Sequence, residues 1–283
     1  ARRMLLQKTD DLAKYAKYLE TNPEEVKALF ADILIHVTGF FRDKNVFEVL
    51  KNKILPKYLK NRDGNSPFRI WVPGCSTGEE VYSLAMTFME LQEGAAIRIP
   101  LAIFAGDISE QALQKARLAV YPESITEEVS KERLRRFFEK VDGGGYRIVK
   151  LLRETCLFSL HDVTRDPPFA KVDLISCRNV LIYFDSELQS RVLPIFHYAL
   201  NPNGILLLGK SENISGFSKC FSSADEKNKI FSKKNIATPL KIEFSAGRFS
   251  IERLGPGSRI SEPMLGRSEG LQRESERIAL SRF

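Results

Sequence analysis

"WVPGCSTGEE", residues 71–80, decides how this chain is read. The apolar run "FRIWVPG" ends in glycine, and "EEVYSLAMTFMEL" behind it carries apolar residues at helical spacing. A strand, a glycine turn and a helix start form the ligand-binding element of doubly wound α/β folds. Gly74 and Gly78 permit the sharp turn and a close backbone approach to a ligand. Their spacing is neither the G-x-G-x-x-G of a dinucleotide site nor a phosphate loop, which needs Gly-Lys-Ser/Thr.

Glu79 and Glu80 close the loop with negative charge. A helix N-terminus favours anions, and two carboxylates there would repel a pyrophosphate. Two readings stand at this point. The acids stabilise the start of the helix, or they receive a ligand that is positive there. S-adenosylmethionine is such a ligand, with an ammonium, a sulfonium and no phosphate.

Strands and helices alternate downstream. "IPLAIFAGDIS" ends at Asp107, where an acid accepts from ribose hydroxyls or simply opens the turn before the capping residue Ser109. "KVDLISCRNVLIYF" brings Arg178, Asn179 and Tyr183 just past another strand end, where a ligand or the next helix would supply their partners. "ILLLGKSE" reads as a further strand after the helix "SELQSRVLPIFHYALNPNG". This order predicts a parallel sheet with helices on both faces. Residues 139–160, "EKVDGGGYRIVKLLRETCLFSL", read as a small antiparallel β flap inserted in it.

Upstream, residues 1–60 read as an N-terminal helical domain. In "TNPEEVKALFADILIHV", Asn22 is the expected cap and Pro23 the first helical residue. "NRDGNSP" (61–67) marks a boundary before the α/β domain, 67–237. In "VTGFFRD" (37–43) Thr38 and Arg42 are four apart, predicting one shared helical face. Arg42 suits a bidentate grip on a carboxylate, and Phe40 and Phe41 suit packing. Residues 238–283 are rich in Gly, Ser, Pro and charge and read as a linker-like or loosely packed tail.

Composition narrows the classes. The 283 residues carry 43 Lys and Arg against 36 Asp and Glu, net +7. The charges are interspersed, and no concentrated basic stretch with aromatics points to nucleic acid. Cys75, Cys156, Cys177 and Cys220 form no CxxC pair, and three histidines make no zinc pattern. His36, His161 and His197 are scattered and read as structural, so no His or Cys catalytic pair emerges. No signal peptide and no apolar run near the ~20 residues of a membrane span is present, and reduced thiols suit a cytoplasmic protein. The chain starts in mid-pattern, as a piece of a longer protein would.

Taken together, "VTGFFRD", "PGCSTGEE", "FAGDIS", "CRNVLIYF" and "LLLGKSENI" resemble, in this order, the chemotaxis receptor methyltransferase (CheR) family over about residues 10–235. The resemblance implies methyl transfer from S-adenosylmethionine to glutamate side chains in the cytoplasmic helical region of chemoreceptors, leaving S-adenosylhomocysteine. It implies that Thr38 and Arg42 reach the cofactor, with Glu79 or Glu80 near its amino-acid part and Asp107 at the ribose. Asp162 and Val163, in "SLHDVTRD", match the stretch beside the adenine. Gly74, Arg178 and Asn179 complete the cofactor set, Asn179 near the methyl donor. Arg42 and Tyr183 match the catalytic positions beside the transferring methyl. There are departures: His36 stands at a cofactor-facing position where the family often has asparagine, and Asp162-Val163 stands where it often has Asn-Leu. The flap turn "VDGGGY" is short, so tethering to a receptor's C-terminal pentapeptide is expected to be absent. The wording "YPESITEEVSKERLRRFFEKVDGGGYRI" resembles methyltransferase units of larger hybrids with methylesterase or sensor domains.

A glutamate nucleophile is already ionised at neutral pH, its reference pKa being about 4.3, so no general base is required. The enzyme's task is then positioning. Rival readings are a non-catalytic S-adenosylmethionine-binding scaffold and, less well supported, a nucleic-acid methyltransferase.

Overall fold

A computed structural model describes residues 2–238 except 34–37, 61, 63, 96 and 215. His36 and the expected tail from residue 239 onward lie outside the described residues.

Three helices open the chain: α1 (Arg2–Leu6), α2 (Leu12–Thr21) and α3 (Pro23–Ile33). Pro23 does start α3, but the Asn22 side chain donates to the Tyr18 carbonyl, 2.9 Å, and so closes the end of α2. After the "TGFFRD" turn come α4 (Lys44–Val49), a wide π turn (Leu50–Ile54) and α5 (Leu55–Leu59). The π turn stands just ahead of Pro56, which lacks the N–H that would continue a regular ladder.

The α/β part follows as β1 (Phe68–Pro73), α6 (Glu79–Leu91), β2 (Leu101–Asp107), α7 (Glu110–Leu118), β3 (Val120–Tyr121), α8 (Lys131–Phe137), β4 (Phe138–Lys140), β5 (Tyr146–Ile148), α9 (Lys150–Arg153), β6 (Cys156–Leu160), β7 (Val172–Cys177), α10 (Ser186–Ala199), β8 (Leu200–Leu208), β9 (Phe221–Asp225) and β10 (Ile230–Lys233). A seven-stranded sheet runs β6-β2-β1-β7-β8-β10-β9. The strands from β6 to β8 pair in parallel, and β10 and β9 finish the edge antiparallel. The chain steps outward from β1 through β2 to β6, then resumes on β1's other side at β7. Ligands of such sheets bind at the carboxyl ends where this reversal occurs.

Side chains alternate along β1, and each face is covered. Phe68, Ile70 and Val72 join the main core, where Phe68 stacks on Phe88 of α6, centroids 5.0 Å apart. Trp71 points the other way, edge-on to Phe196 of α10 at 5.5 Å. The expected α/β class with helices on both faces is present.

Two boundaries differ from those expected. The described residues 40–55, expected in the N-terminal helical domain, share the core of the α/β part. Phe40, Phe41, Phe47, Leu50 and Leu55 pack into the same apolar cluster as the sheet, because their side chains supply the apolar surface that covers α6. The antiparallel ribbon is smaller and begins earlier than 139–160. It is β3-β5-β4, and Cys156–Leu160 instead pairs in parallel with β2 as the sheet's edge strand. The run "CLFSL" reads equally well either way by periodicity, and only pairing distinguishes the two.

At the amino edge of the sheet, buried Asp173 on β7 gathers four donors. They are the Tyr58 hydroxyl (3.1 Å), Arg62, the Arg69 N–H (2.8 Å) and the Asn201 amide (2.8 Å). This carboxylate ties α5, β1, β7 and β8 together.

Candidate functional site

The site lies at the opposite, carboxyl edge. Its floor is the glycine loop. Gly74 has φ +67°, and a Cβ there would stand 2.5 Å from Val180 Cγ2, so the loop and the 178–183 segment approach too closely for any side chain. Asp107, at the end of β2, accepts from the Ser76 N–H at 2.7 Å and from the Ser109 N–H at 2.9 Å. It anchors the loop while its carboxylate stays at the edge.

The two glutamates separate in role. Glu79 turns onto the Thr77 hydroxyl, at 2.7–2.8 Å from its two oxygens, and burial pushes its carboxyl above the usual range. Glu80 faces the cleft, accepting from the Ser176 hydroxyl at 2.6 Å and from Arg178 at 2.9 Å. Burial raises the Glu80 carboxyl too, opposed by the Arg178 charge and the Ser176 hydrogen bond.

One wall is residues 38–43. The expected helical face for Thr38 and Arg42 is not formed. Phe41 (φ 50°) and Asp43 (φ 64°) are left-handed, which breaks a helix. The turn is instead pinned from outside. The Phe40 N–H donates to Glu128 (2.6 Å), the Phe41 N–H to the Ser83 hydroxyl (2.9 Å), and the Arg42 carbonyl accepts from Arg178 (2.9 Å). Phe40 and Phe41 are buried, edge-on to Tyr121 and Phe47 respectively, as packing residues. Thr38 and Arg42 still reach the same cleft.

The other wall is residues 178–183. Arg178, its side chain 1% exposed, joins Glu80 to Asp43, whose second oxygen meets Lys210 at 2.5 Å. Burial pushes Asp43 up, but Lys210 and Arg178 outweigh it and hold the carboxyl below its ordinary value. The Arg178 Nε is buried with no partner. Asn179 sits at φ 60°, and Ile182 and Tyr183 stand exposed at the lip, Tyr183 at 59%.

A cleft of about 100 Å³ results, lined by Thr38, Arg42, Gly74, Glu80, Asn179 and Tyr183 among others. Arg178 also lines it. Asp107 lies beside its floor, and Asp162 and Val163 follow β6, the strand paired with β2. The Asp162 carboxylate is turned to the Thr164 N–H and hydroxyl, 2.9 and 2.6 Å, and Val163 is buried. Neither lines the cleft that holds Arg42 and Tyr183.

Cys75 and Cys177 are near this edge, but burial drives both thiols well above their ordinary value, so neither supplies a thiolate. His197 is buried between the Thr238 hydroxyl (2.9 Å) and the Lys234 carbonyl (3.1 Å), and His161 packs edge-on to Trp71. Among the described residues no group of His, Cys, Asp and Glu is placed to hold a metal ion.

Sequence reasoning missed Glu212, Asp43 and Lys210. Glu212 accepts from four backbone N–H groups: Gly209 (2.5 Å), Asn179 (3.0 Å), Val180 (2.8 Å) and Leu181 (2.8 Å). Its signal was an acid directly after a strand-ending "LLLGKS" turn, with no helix behind it to cap.

Residues 36–230 match the family model described as "CheR methyltransferase, SAM binding domain". A "Chemotaxis protein methyltransferase" of Borreliella burgdorferi is 34% identical over 212 residues, 73% of this chain and 75% of that one. One of Vibrio parahaemolyticus is 37% identical over 187 residues, 65% of this chain and 67% of that one. An "Uncharacterized 104.1 kDa protein in hypE 3'region" of Rhodobacter capsulatus is 37% identical over 230 residues, 81% of this chain. The match spans only 24% of that longer protein.

Proposed function

The chain belongs to the CheR methyltransferase family, and we propose that it methylates glutamate carboxylates on the cytoplasmic helical segments of chemoreceptors. It is an S-adenosylmethionine-dependent methyltransferase by that family. The single observation that carries the finer reading is the convergence of Arg42 and Tyr183, from opposite walls, on one cleft above the glycine loop.

The cleft suits this cofactor. Asp107 offers a carboxylate at a strand end, and the loop presents no phosphate-binding lysine. A buried Arg178 Nε without a partner marks a polar position that a bound molecule would complete. When bound, S-adenosylmethionine supplies an electrophilic methyl group on a sulfonium. Thr38, Arg42 and Asn179 would hold its reactive end and Asp107 its ribose, with Asp162 and Val163 beside the adenine. Of the two glutamates, Glu80 is the better placed for the amino-acid part, because it faces the cleft. Its charge is shared with Arg178, so it grips a cation less strongly than a lone carboxylate would.

Arg42 orients the incoming carboxylate at the lip and Tyr183 donates a hydrogen bond there. The arginine must orient without forming a tight neutralising pair, since that would quench the nucleophile. No proton needs to move, because a glutamate with a reference pKa of about 4.3 is ionised at neutral pH. Rate then comes from alignment, which reaches about 7–11 kcal/mol in the best intramolecular cases. The ribbon turn is only Val141–Gly145, held by the Gly144 N–H to the Val141 carbonyl, 3.2 Å. This supports a reading in which receptor pentapeptides are not tethered there. Nucleic acid is not part of the reading, and the protein works in the cytoplasm. No helix among the described residues is long and apolar enough to cross a membrane.

Calorimetric titration with S-adenosylmethionine and S-adenosylhomocysteine, followed by labelled-methyl transfer to a receptor helical fragment, tests this. Micromolar binding and label on glutamate are expected. Binding without transfer to any receptor segment would leave a scaffold and overturn the enzyme reading.

A further inference from the structure

We propose that Glu212 is a positioning residue for the methyl-transfer site, a carboxylate that sets the backbone of the wall carrying Asn179 and Tyr183. This deepens the proposed function and rests on it for its kinetic part only.

Glu212 is 4% exposed and collects four peptide N–H groups. Three of them, on Asn179, Val180 and Leu181, are consecutive. Three N–H groups in succession can point at one acceptor only if the backbone curls around it, and the left-handed Asn179, φ 60°, is where that curl begins. The cost of a non-glycine residue in this region persists only where the surroundings over-determine it. Here the over-determining group is a carboxyl whose two oxygens accept all four bonds, and charge-assisted hydrogen bonds are about twice as strong as neutral ones.

The curl has a geometric product. It places the Asn179 side chain at the cleft and leads directly into the short helical turn Leu181–Tyr183, so Tyr183 arrives at the lip. Gly209 makes the approach possible. A Cβ there would lie 2.8 Å from Glu212 Oε2 and 3.1 Å from Asn179 Nδ2. The same turn holds the facing wall, because Lys210 pairs with Asp43, Asp43 with Arg178, and Arg178 with the Arg42 carbonyl. Gly209, Lys210 and Glu212, just past the end of β8, thus connect the walls that carry Arg42 and Tyr183. Glu212 does not line the cleft, so its effect on chemistry passes through the backbone it holds.

Glu212→Gln keeps the size, removes the charge and turns one acceptor into a donor facing N–H groups. Two readouts separate positioning from mere stability. Amide hydrogen exchange in the peptide spanning 178–183 should rise at least about tenfold, with β2 and α10 unchanged. Turnover should fall tenfold or more while the S-adenosylmethionine Kd, by calorimetry, stays within about threefold. If the glutamine variant does not fold, Glu212→Asp, which keeps the charge but withdraws it by one methylene, carries the same two readouts. Wild-type exchange over 178–183 in the folded variant would overturn the proposal. So would turnover per binding site equal to wild type. Should the wild type itself transfer no methyl group, the function reading fails, and the exchange contrast still decides whether Glu212 sets this wall.

Discussion

Asp173 and Glu212 are both buried carboxylates with four donors, at opposite edges of one sheet. Asp173 sits at the amino edge and takes three side chains and one peptide, from positions 58, 62, 69 and 201. One donor is an arginine, so the charge is neutralised on the spot. Glu212 sits at the carboxyl edge and takes four peptide dipoles and no cation. The first joins distant elements, and its loss would loosen the fold. The second shapes one short segment, and its loss would misplace a wall. The difference shows that burial and bond count do not tell a structural carboxylate from a site-forming one. The identity and sequence range of the donors do.

The comparison can be broken. The largest effect is expected from Asp173→Ala. Removing one partner of a buried ion pair costs about 3–5 kcal/mol, read in urea denaturation, and the folded fraction should bind S-adenosylmethionine as before. Affinity falling in step with stability would erase the division between the edges. Asp107→Ala should differ by lowering affinity as well. Hydrogen bonds to charged groups are worth about 1.5–3 kcal/mol, so a loss of roughly 10–100-fold in calorimetric affinity is expected, beside a loss of stability from the Ser76 and Ser109 N–H groups left unpaired. An unchanged Kd would remove Asp107 from the cofactor site.

Gly74→Ala sharpens the picture at the loop. A side chain in left-handed backbone costs of order 1–3 kcal/mol, and the methyl meets Val180. Adding Val180→Ala should recover the steric share, read as affinity, and leave the backbone share. Full recovery would mean that φ at residue 74 is unimportant.

The smallest effect belongs to His197, at the end of α10 on the amino side. Burial holds its imidazole below the ordinary value, with nearby Lys233 acting in the same direction and the Lys234 carbonyl opposing. The unfolded chain therefore takes up the proton first. Stability is present above the unfolded value of about 6.5 and is lost as pH falls from there toward the folded value. Denaturation midpoints at pH 7.5 and 5.5 should differ in the wild type and converge in His197→Gln. Cofactor affinity should follow neither change.

Much of the site was legible because it is local. The glycine loop, Asp107 and Arg178–Tyr183 each follow a strand run directly, and a strand's end announces the sheet edge. Thr38 and Arg42 were paired for the wrong reason. Their common orientation comes from two left-handed residues pinned by Glu128, Ser83 and Arg178, none of which lies within the motif. The ribbon was misplaced because Cys156–Leu160 has no period that separates an edge strand from a hairpin strand. The strands β9 and β10 were not anticipated, since their short runs fall among polar residues.

What the sequence determined by itself is the set of chemical groups and their order along the chain. Alternating apolar runs specify a sheet with covered faces, and glycine at a strand end specifies a loop without side chains. Tertiary structure alone decided which charges are free to act. Glu79 and Glu80 are neighbours with the same side chain, yet one folds onto Thr77 and the other faces the cleft against Arg178. That choice depends on partners 96 and 98 residues away. A carboxylate's role is set by the dipoles and charges within a few ångströms, and only the folded chain brings those together.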